Sequence, residues 1–335
     1  MPGIWSPNHL NECSMSDVLF IKTSSLGDVI HHMPALTEAR RRRPDARLSW
    51  VVEEAFAPLV RLHPAVDQVI PVAVRRWRGA ALAPSTWVKA NAFIRTLRER
   101  EYDEIVDTQG LFFKSALIAR LARGRRHGYD ASSIREPAAS RLYDIRHKVA
   151  RDLHAIARNR LLTALALGYA PEGAIDFGLD RNKLTAPAAS PYGILLHATA
   201  RPEKEWLEAS WIALGRQLEA RGRSYGHLPV VLPWGSEAER ARSNRIAGAL
   251  ADAKVPDKQP IERIARLIAG ASFVVGVDTG LLHLAAALGV PLVAIFVGSE
   301  PGLTGPMGQG PMKIVGGKGM TPSVADVMKA FEGLR

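Results

Sequence analysis

Four short apolar runs in the first half of the chain, at 18–21, 48–52, 68–72 and 104–107, are rich in β-branched residues and too short for helices, so they predict buried strands. Helical spacing of apolar positions predicts helices near 29–43, 84–100 and 111–123. Strand and helix alternate, and that order implies a parallel, doubly wound α/β sheet. A further helical stretch at about 147–167 leads into a Gly-, Pro- and Ala-rich segment, expected to be a linker over 171–191. Beyond it the pattern restarts. Strands are expected at 193–197, 229–232, 273–277 and 292–296, and helices at 207–221, 237–251, 261–269 and 281–288. Two α/β units of similar size then face each other, with a ligand cleft at the carboxyl ends of both sheets.

Composition narrows the classes available. The chain has 335 residues, 47% of them hydrophobic, enough for two buried cores. Its single cysteine, Cys13, excludes an internal disulfide or a cysteine-based zinc site and fits a reducing compartment. No apolar stretch reaches the roughly 18 to 20 residues that span a bilayer. Residues 1–14 lack the charge and hydrophobicity order of a leader, and are expected to be a disordered extension ahead of Met15. The net charge of +11 divides unevenly, about +9 over 1–168 and +2 over 169–335. A basic first half implies a large anionic partner: nucleic acid, phospholipid or a phosphorylated glycolipid. No helix-turn-helix, RNP or zinc-finger pattern accompanies the basic residues, so nucleic acid is not the expected partner.

Candidate chemistry gathers at predicted strand ends. Lys22-Thr23-Ser24-Ser25-Leu26-Gly27-Asp28 follows the first strand and opens a helix, which aims backbone N–H groups at one point and suits an anion. Asp28 is a helix-cap carboxylate or a catalytic base there, and the stretch alone leaves both open. In the second half Asp278-Thr279-Gly280 precedes another helix, with His283 one turn in. Gly280 is expected to let a ligand approach the backbone. Thr199, Ala200 and Lys204 leave a third strand end, and Trp234-Gly235-Ser236-Glu237-Ala238-Glu239 leaves a fourth, where Glu237 or Glu239 is suited to a ribose. Arg75, Arg76 and Arg78 surround Trp77, an arrangement suited to recognition of carboxylates or phosphates. Asp107-Thr108-Gln109-Gly110 ends another strand, Lys114 follows a turn later, and Arg135-Glu136-Pro137 supplies a further guanidinium. Arg40–Arg43 closes a helix and reads as a solvated, dipole-complementing end. The chain has no Gly-x-Gly-x-x-Gly after either first strand, no Walker A loop, no His-Glu-x-x-His, no Gly-x-Ser-x-Gly and no Asp-x-Asp between strands.

Taken in order, Lys22–Asp28, Asp107–Leu111, His197-Ala198-Thr199, Leu232-Pro233-Trp234-Gly235 and Asp278–His283 resemble the heptosyltransferases of lipopolysaccharide core synthesis, over about 18–308. Trp50-Val51-Val52-Glu53-Glu54, Arg75-Arg76-Trp77-Arg78 and Arg135-Glu136-Pro137 resemble the branch that adds the first heptose. The resemblance implies the GT-B fold, two facing Rossmann-like domains with a central cleft. It implies an acceptor domain over 15–170, a nucleotide-sugar domain over 192–320 and a terminal helix within 321–335. It further implies transfer of L-glycero-D-manno-heptose from ADP-heptose to the inner Kdo of Kdo2-lipid A.

Residue roles carry over with it. Asp28 matches the general base. Ser25, Thr199, Ala200, Lys204, Glu239, Asp278, Thr279, Gly280 and His283 fall on the donor side, with Lys204 at the diphosphate and Glu239, rather than Glu237, at the ribose. Lys22, Arg75, Arg76, Arg78, Gln109 and Arg135 fall on the acceptor side. Ala200 and Gly79 depart from the pattern, standing where relatives often carry Thr and Lys. No metal ligands and no required cofactor are implied, a divalent cation being at most stimulatory. Kdo2-lipid A as acceptor implies peripheral contact with the cytoplasmic face of the inner membrane. The rival readings are the sister enzyme that adds the second heptose and a non-catalytic nucleotide or polyanion binder on the same fold.

Overall fold

The computed structural model describes residues 16–334 apart from 81, 186–189, 226 and 227, and the side chains of 222–225 are also left aside; the expected extension over 1–14 and Met15 lie outside the described residues. In chain order the first half runs β1 (Asp17–Ile21), α1 (Leu26–Arg42), β2 (Arg47–Glu53), α2 (Ala57–Val60), β3 (Gln68–Val72), α3 (Val74–Gly79), α4 (Pro84–Leu97) and β4 (Glu101–Asp107). It continues with α5 (Leu117–Leu121), β5 (Arg123–Tyr129), β6 (Ile145–His147) and α6 (Ala155–Leu167), after which α7 (Arg181–Leu184) lies in the connecting segment. The second half runs β7 (Gly193–Leu196), α8 (Glu208–Tyr225), β8 (Val230–Val231), α9 (Glu237–Gly248), β9 (Ala253–Lys254), α10 (Ile261–Gly270), β10 (Phe273–Val277), α11 (Gly280–Ala287), β11 (Leu292–Phe296), β12 (Met312–Gly316) and α12 (Val324–Glu332).

The strands form two parallel six-stranded sheets, β3-β2-β1-β4-β5-β6 and β12-β11-β10-β7-β8-β9. Counted within its own half, each sheet has the order 3-2-1-4-5-6, the doubly wound arrangement whose ligand crevice opens between the first and fourth strands. β1 and β4 flank that point in the first sheet, β7 and β10 in the second. β7 and β10 are buried throughout, β1 in all but its first residue and β4 over its carboxyl end, Ile105–Asp107, as central parallel strands require where they meet the crevice. One apolar cluster runs from the first sheet through α1 and α11 into the second, while a separate one around Trp206 and Trp211 fills the far face of the second sheet. α2 and α7 both pack on α10, and the Arg181 guanidinium fastens the connecting segment to the carbonyls of Ala269 and Ala271 at 2.8 Å each.

Several expected boundaries move. The stretch expected as one helix over 111–123 is a π-helical turn (Phe112–Ala116) running into α5, after which the chain turns into β5. α6 begins at Ala155 rather than near 147, because 145–147 pairs with β5 as β6. Arg75, Arg76 and Arg78, directly after β3, ride on a short helix, α3.

Candidate active site

The Lys22–Asp28 turn leaves β1 at the first switch point and is held by Gln109, which leaves β4 beside it. The Gln109 Oε1 accepts from the Thr23 and Ser24 N–H groups at 2.7 and 3.2 Å, and its Nε2 donates to the Ser24 carbonyl. Gln109 is itself fixed by Asp107, whose Oδ1 accepts from its N–H at 2.8 Å and whose Oδ2 accepts from Tyr143 at 2.6 Å. Burial pushes the Asp107 carboxyl up, against these hydrogen bonds. Gln109 therefore shapes the turn as well as facing the cleft.

Asp28 is the third residue of α1 and closes a capping box: its Oδ2 accepts from the Ser25 N–H and the Ser25 hydroxyl at 2.8 Å each. The same carboxylate lines a cavity of about 180 Å³ with Lys22, Gln109, Tyr129, Arg135, Arg158, Asn159 and Thr304. Thr304 comes from the second half of the chain, so the cavity lies between the two units. The buried Lys22 ammonium donates to the Thr108 carbonyl at 2.9 Å and to Asn159 Oδ1 at 3.3 Å. Burial lowers its pKa, with Asp28 and Asp107 opposing that shift.

Sequence reasoning missed Arg158. Its guanidinium lies 4.7 Å from the Tyr129 ring centroid and donates through Nη2 to the Ser133 carbonyl at 2.6 Å, while its buried Nε has no partner. A buried donor left unpaired beside a carboxylate and a cavity is placed for an incoming anionic oxygen. No motif surrounds it in the sequence. Only the packing of α6 on α1 brings it to the cleft.

The acceptor-side arginines split. Arg78 and Arg135 line a second cavity of about 650 Å³ with Lys114, Glu136, Val74, Leu111 and Phe113. Arg135 lines both cavities and so connects them. Arg76 instead pairs with Glu54 at 2.9 Å, and Arg75 lies over the Phe56 ring at 5.6 Å, both turned toward the end of β2.

In the second half, Thr199, Ala200, Trp234, Gly235, Glu239 and Thr279 gather around a cavity of about 300 Å³, joined by Gln259, Ile261, Ile264 and Leu281. Glu239 closes a capping box on α9, accepting from Gly235 N–H at 2.7 Å, and lines this cavity, whereas Glu237 does not. Gln259 went unnoticed in the sequence, where it sits in an unpatterned loop. Beside the cavity, Lys204 pairs with Asp278 at 2.5 Å, Ser299 Oγ donates to the same carboxylate at 2.6 Å, and His283 Nε2 lies 3.7 Å from Asp278 Oδ1. Burial alone raises the Asp278 carboxyl, but His283, Lys204 and Ser299 outweigh it and hold it well below the usual carboxylate range.

The two half-sites meet where α1 and α11 touch. A Cβ built on Gly280 lies 2.7 Å from Leu26 Cβ, and one on Gly27 lies 3.1 Å from His283 Cδ2. The room at Gly280 is thus taken by Leu26 of α1 rather than left for a ligand, because the helices pack that closely. His31 Nε2 and His283 Nδ1 share a hydrogen bond at 3.1 Å across this contact, with the His154 ring 5.4 Å from that of His31. Burial and the neighbouring His283 and His154 drive the His31 pKa well down.

Residues 90–329 match the family model of glycosyltransferase family 9 (heptosyltransferase). The lipopolysaccharide heptosyltransferase 1 of Salmonella typhimurium (strain LT2) is 43% identical over 298 residues, covering 88% of this chain and 92% of the relative. The solved structure of the E. coli heptosyltransferase WaaC with ADP superposes with a TM-score of 0.88 at 38% identity, covering 95% of this chain and all of that one. The same enzyme with ADP-2-deoxy-2-fluoro heptose gives 0.83 at 39% identity, over 94% and 98%.

Proposed function

The chain belongs to glycosyltransferase family 9, the heptosyltransferases, and on that premise we propose how it works: its second half holds ADP-heptose, and Asp28 activates a hydroxyl of the inner Kdo of Kdo2-lipid A. It is a glycosyltransferase with the GT-B fold, acting in lipopolysaccharide inner-core synthesis. The observation that carries the mechanism is the α1–α11 contact, which brings the first turn of α1, with Asp28, against the helix start that follows Asp278 and Thr279.

The donor's adenosine fits the cavity of Thr199, Trp234, Glu239 and Gln259, with the Glu239 carboxylate toward the ribose. The diphosphate falls to Thr199, Thr279 and Lys204 beside the start of α11, where fixed positive groups offset the charge that develops on departing ADP. Asp278 holds Lys204 in place for that role. Asp28 takes the acceptor's proton as the oxygen attacks the anomeric carbon, and a single displacement inverts the configuration. Lys22, Arg158 and Arg135 surround Asp28 and suit the Kdo carboxylate, while Arg78, Lys114 and Arg135 suit the phosphates of the lipid A end. Lys204 and the start of α11 supply the positive charge at the diphosphate in this reading, which includes no required metal. Such an acceptor puts the enzyme at the cytoplasmic face of the inner membrane. No helix among the described residues is long and apolar enough to cross it.

Incubation with ADP-heptose and Kdo2-lipid A, followed by mass spectrometry of the glycolipid, tests this reading. One added heptose is expected. Transfer only to an acceptor that already bears one heptose would assign the enzyme to the second step. ADP binding without any transfer would leave a nucleotide-binding protein.

A further inference from the structure

Residues 73–98 contain six Lys and Arg and no Asp or Glu. They fold as α3 and α4, joined by the Trp77 and Phe93 rings at 5.7 Å. In α4 only Phe93 and Leu97 are buried, and in α3 nothing is. What remains outside includes Leu82, Trp87 and Val88, exposed to 97%, 64% and 69%. Single exposed apolar residues are ordinary, but three large ones within seven positions, flanked on both sides by cations, are not. Of the six cations only Arg76 is ion-paired among the described residues, so Arg78, Lys89 and Arg95 leave their charge to the surroundings. Arg78 also lines the 650 Å³ cavity, whose other walls include Lys114, Arg135 and the 73%-exposed Phe113. The apolar and basic surface therefore continues from that cavity onto α4.

We propose that the α3–α4 segment docks on an anionic lipid bilayer, with Leu82, Trp87 and Val88 entering the interfacial layer and Arg78, Lys89 and Arg95 facing the headgroups. The inference rests on the reading of the acceptor as an anionic glycolipid and adds the surface that meets its membrane. Trp among apolar neighbours with flanking cations is the composition of an interfacial helix. The core of a protein–protein patch is instead depleted in charge. Docked this way, the segment holds the 650 Å³ cavity at the headgroup level, where the sugar end of an embedded acceptor lies.

The test compares wild type with the triple variant Leu82→Ser/Trp87→Ser/Val88→Ser and with Lys89→Glu/Arg95→Glu, none of them residues of the donor or acceptor cavities. Co-sedimentation with phosphatidylglycerol-containing vesicles should be strong for wild type and at least tenfold weaker for both variants. It should also weaken with salt and with purely zwitterionic vesicles. Melting temperature, and turnover of an acceptor stripped of its acyl chains, should match wild type, while turnover of vesicle-embedded acceptor falls. Partition of both variants within twofold of wild type, or no binding of wild type to anionic vesicles, overturns the proposal. So does a wild-type dimer that the triple variant loses, which would assign the patch to a second copy. If neither acceptor is turned over, the functional reading fails while the vesicle result still decides the docking.

Discussion

At Asp28 two roles coincide, because the carboxylate that caps α1 also faces the cavity shared with Lys22 and Arg158. Asp28 is the N3 acceptor of the capping box, and an Asn Oδ1 there can still accept from the Ser25 N–H and hydroxyl, so Asp28→Asn should stay folded, losing at most a dipole contribution of about 1 kcal/mol. It cannot take a proton, and turnover at saturating substrates should drop about 10²- to 10⁴-fold. Turnover within a few-fold of wild type would return Asp28 to capping alone. Lys204 offers a second test, since it faces the mostly buried Asp278 carboxylate. Removing it should raise the apparent constant for ADP-heptose roughly ten- to hundredfold through the lost charge-assisted contact. Steady-state kinetics with each substrate varied should leave the acceptor constant near wild type, and Lys204→Arg should recover part of the loss. Equal effects on both substrates would remove Lys204 from the donor site. The residues legible in the sequence are those at strand ends, where a turn and a helix start announce themselves: Lys22–Asp28, Gln109, Thr199, Asp278 and Thr279. Arg158 and Gln259 were not legible, because each is a lone residue that reaches a cavity only through tertiary packing.

Between elements, the contact of α1 with α11 links Asp28, the proposed base, to the half-site proposed for the donor. Gly280 admits Leu26 at a distance no Cβ tolerates, so Gly280→Ala must push the helices apart. Overpacking of this kind costs about 1 to 3 kcal/mol, and the separation should lower turnover more than ADP affinity. Adding Leu26→Gly, which removes the clashing Cβ as well as the rest of the side chain, makes room, so the double variant should recover stability and activity beyond the sum of the single effects. Denaturation midpoints and turnover across the four proteins check this, and strict additivity would deny the contact a coupling role. The sequence could not show this contact, because Gly280 lies 254 positions from Leu26 and reads locally as a phosphate turn. Central strands were legible for the opposite reason. Val18–Ile21 and Phe273–Val277 are continuous apolar runs because both faces are covered. β5, Arg-Gly-Arg-Arg-His-Gly-Tyr, hid as a strand because three arginines occupy its outer half, where Arg125 pairs with Glu104 and Arg126 with Asp144 at 2.7 Å.

Over the whole molecule, folding closes several histidines away from water, and this sets how stability follows pH. Burial lowers His63 and His197 to about 4 and drives His31 and His32 well below the ordinary value. Their hydrogen bonds fit the neutral form: His63 Nδ1 accepts from the Ala65 N–H at 3.2 Å, an arrangement an imidazolium cannot make. Well above pH 6.5 neither the folded nor the unfolded chain protonates these rings, so they add little pH dependence there. As the pH falls below 6.5 the unfolded chain takes up protons that the folded one refuses, and unfolding becomes easier. Each such ring contributes up to about 1.4 kcal/mol per pH unit, down to its folded pKa. The depressed Asp278 carboxyl begins to add to this loss only below the ordinary carboxylate range. Urea midpoints should therefore be flat from pH 8 to 7 and fall steeply between pH 6.5 and 4.5. Replacing His63, which lines none of the three cavities, with Gln should make that fall shallower by about one proton's worth. An unchanged slope in His63→Gln would mean that this ring titrates alike in the folded and unfolded chains, and constant stability down to pH 5 would mean that folding does not hold these buried rings neutral.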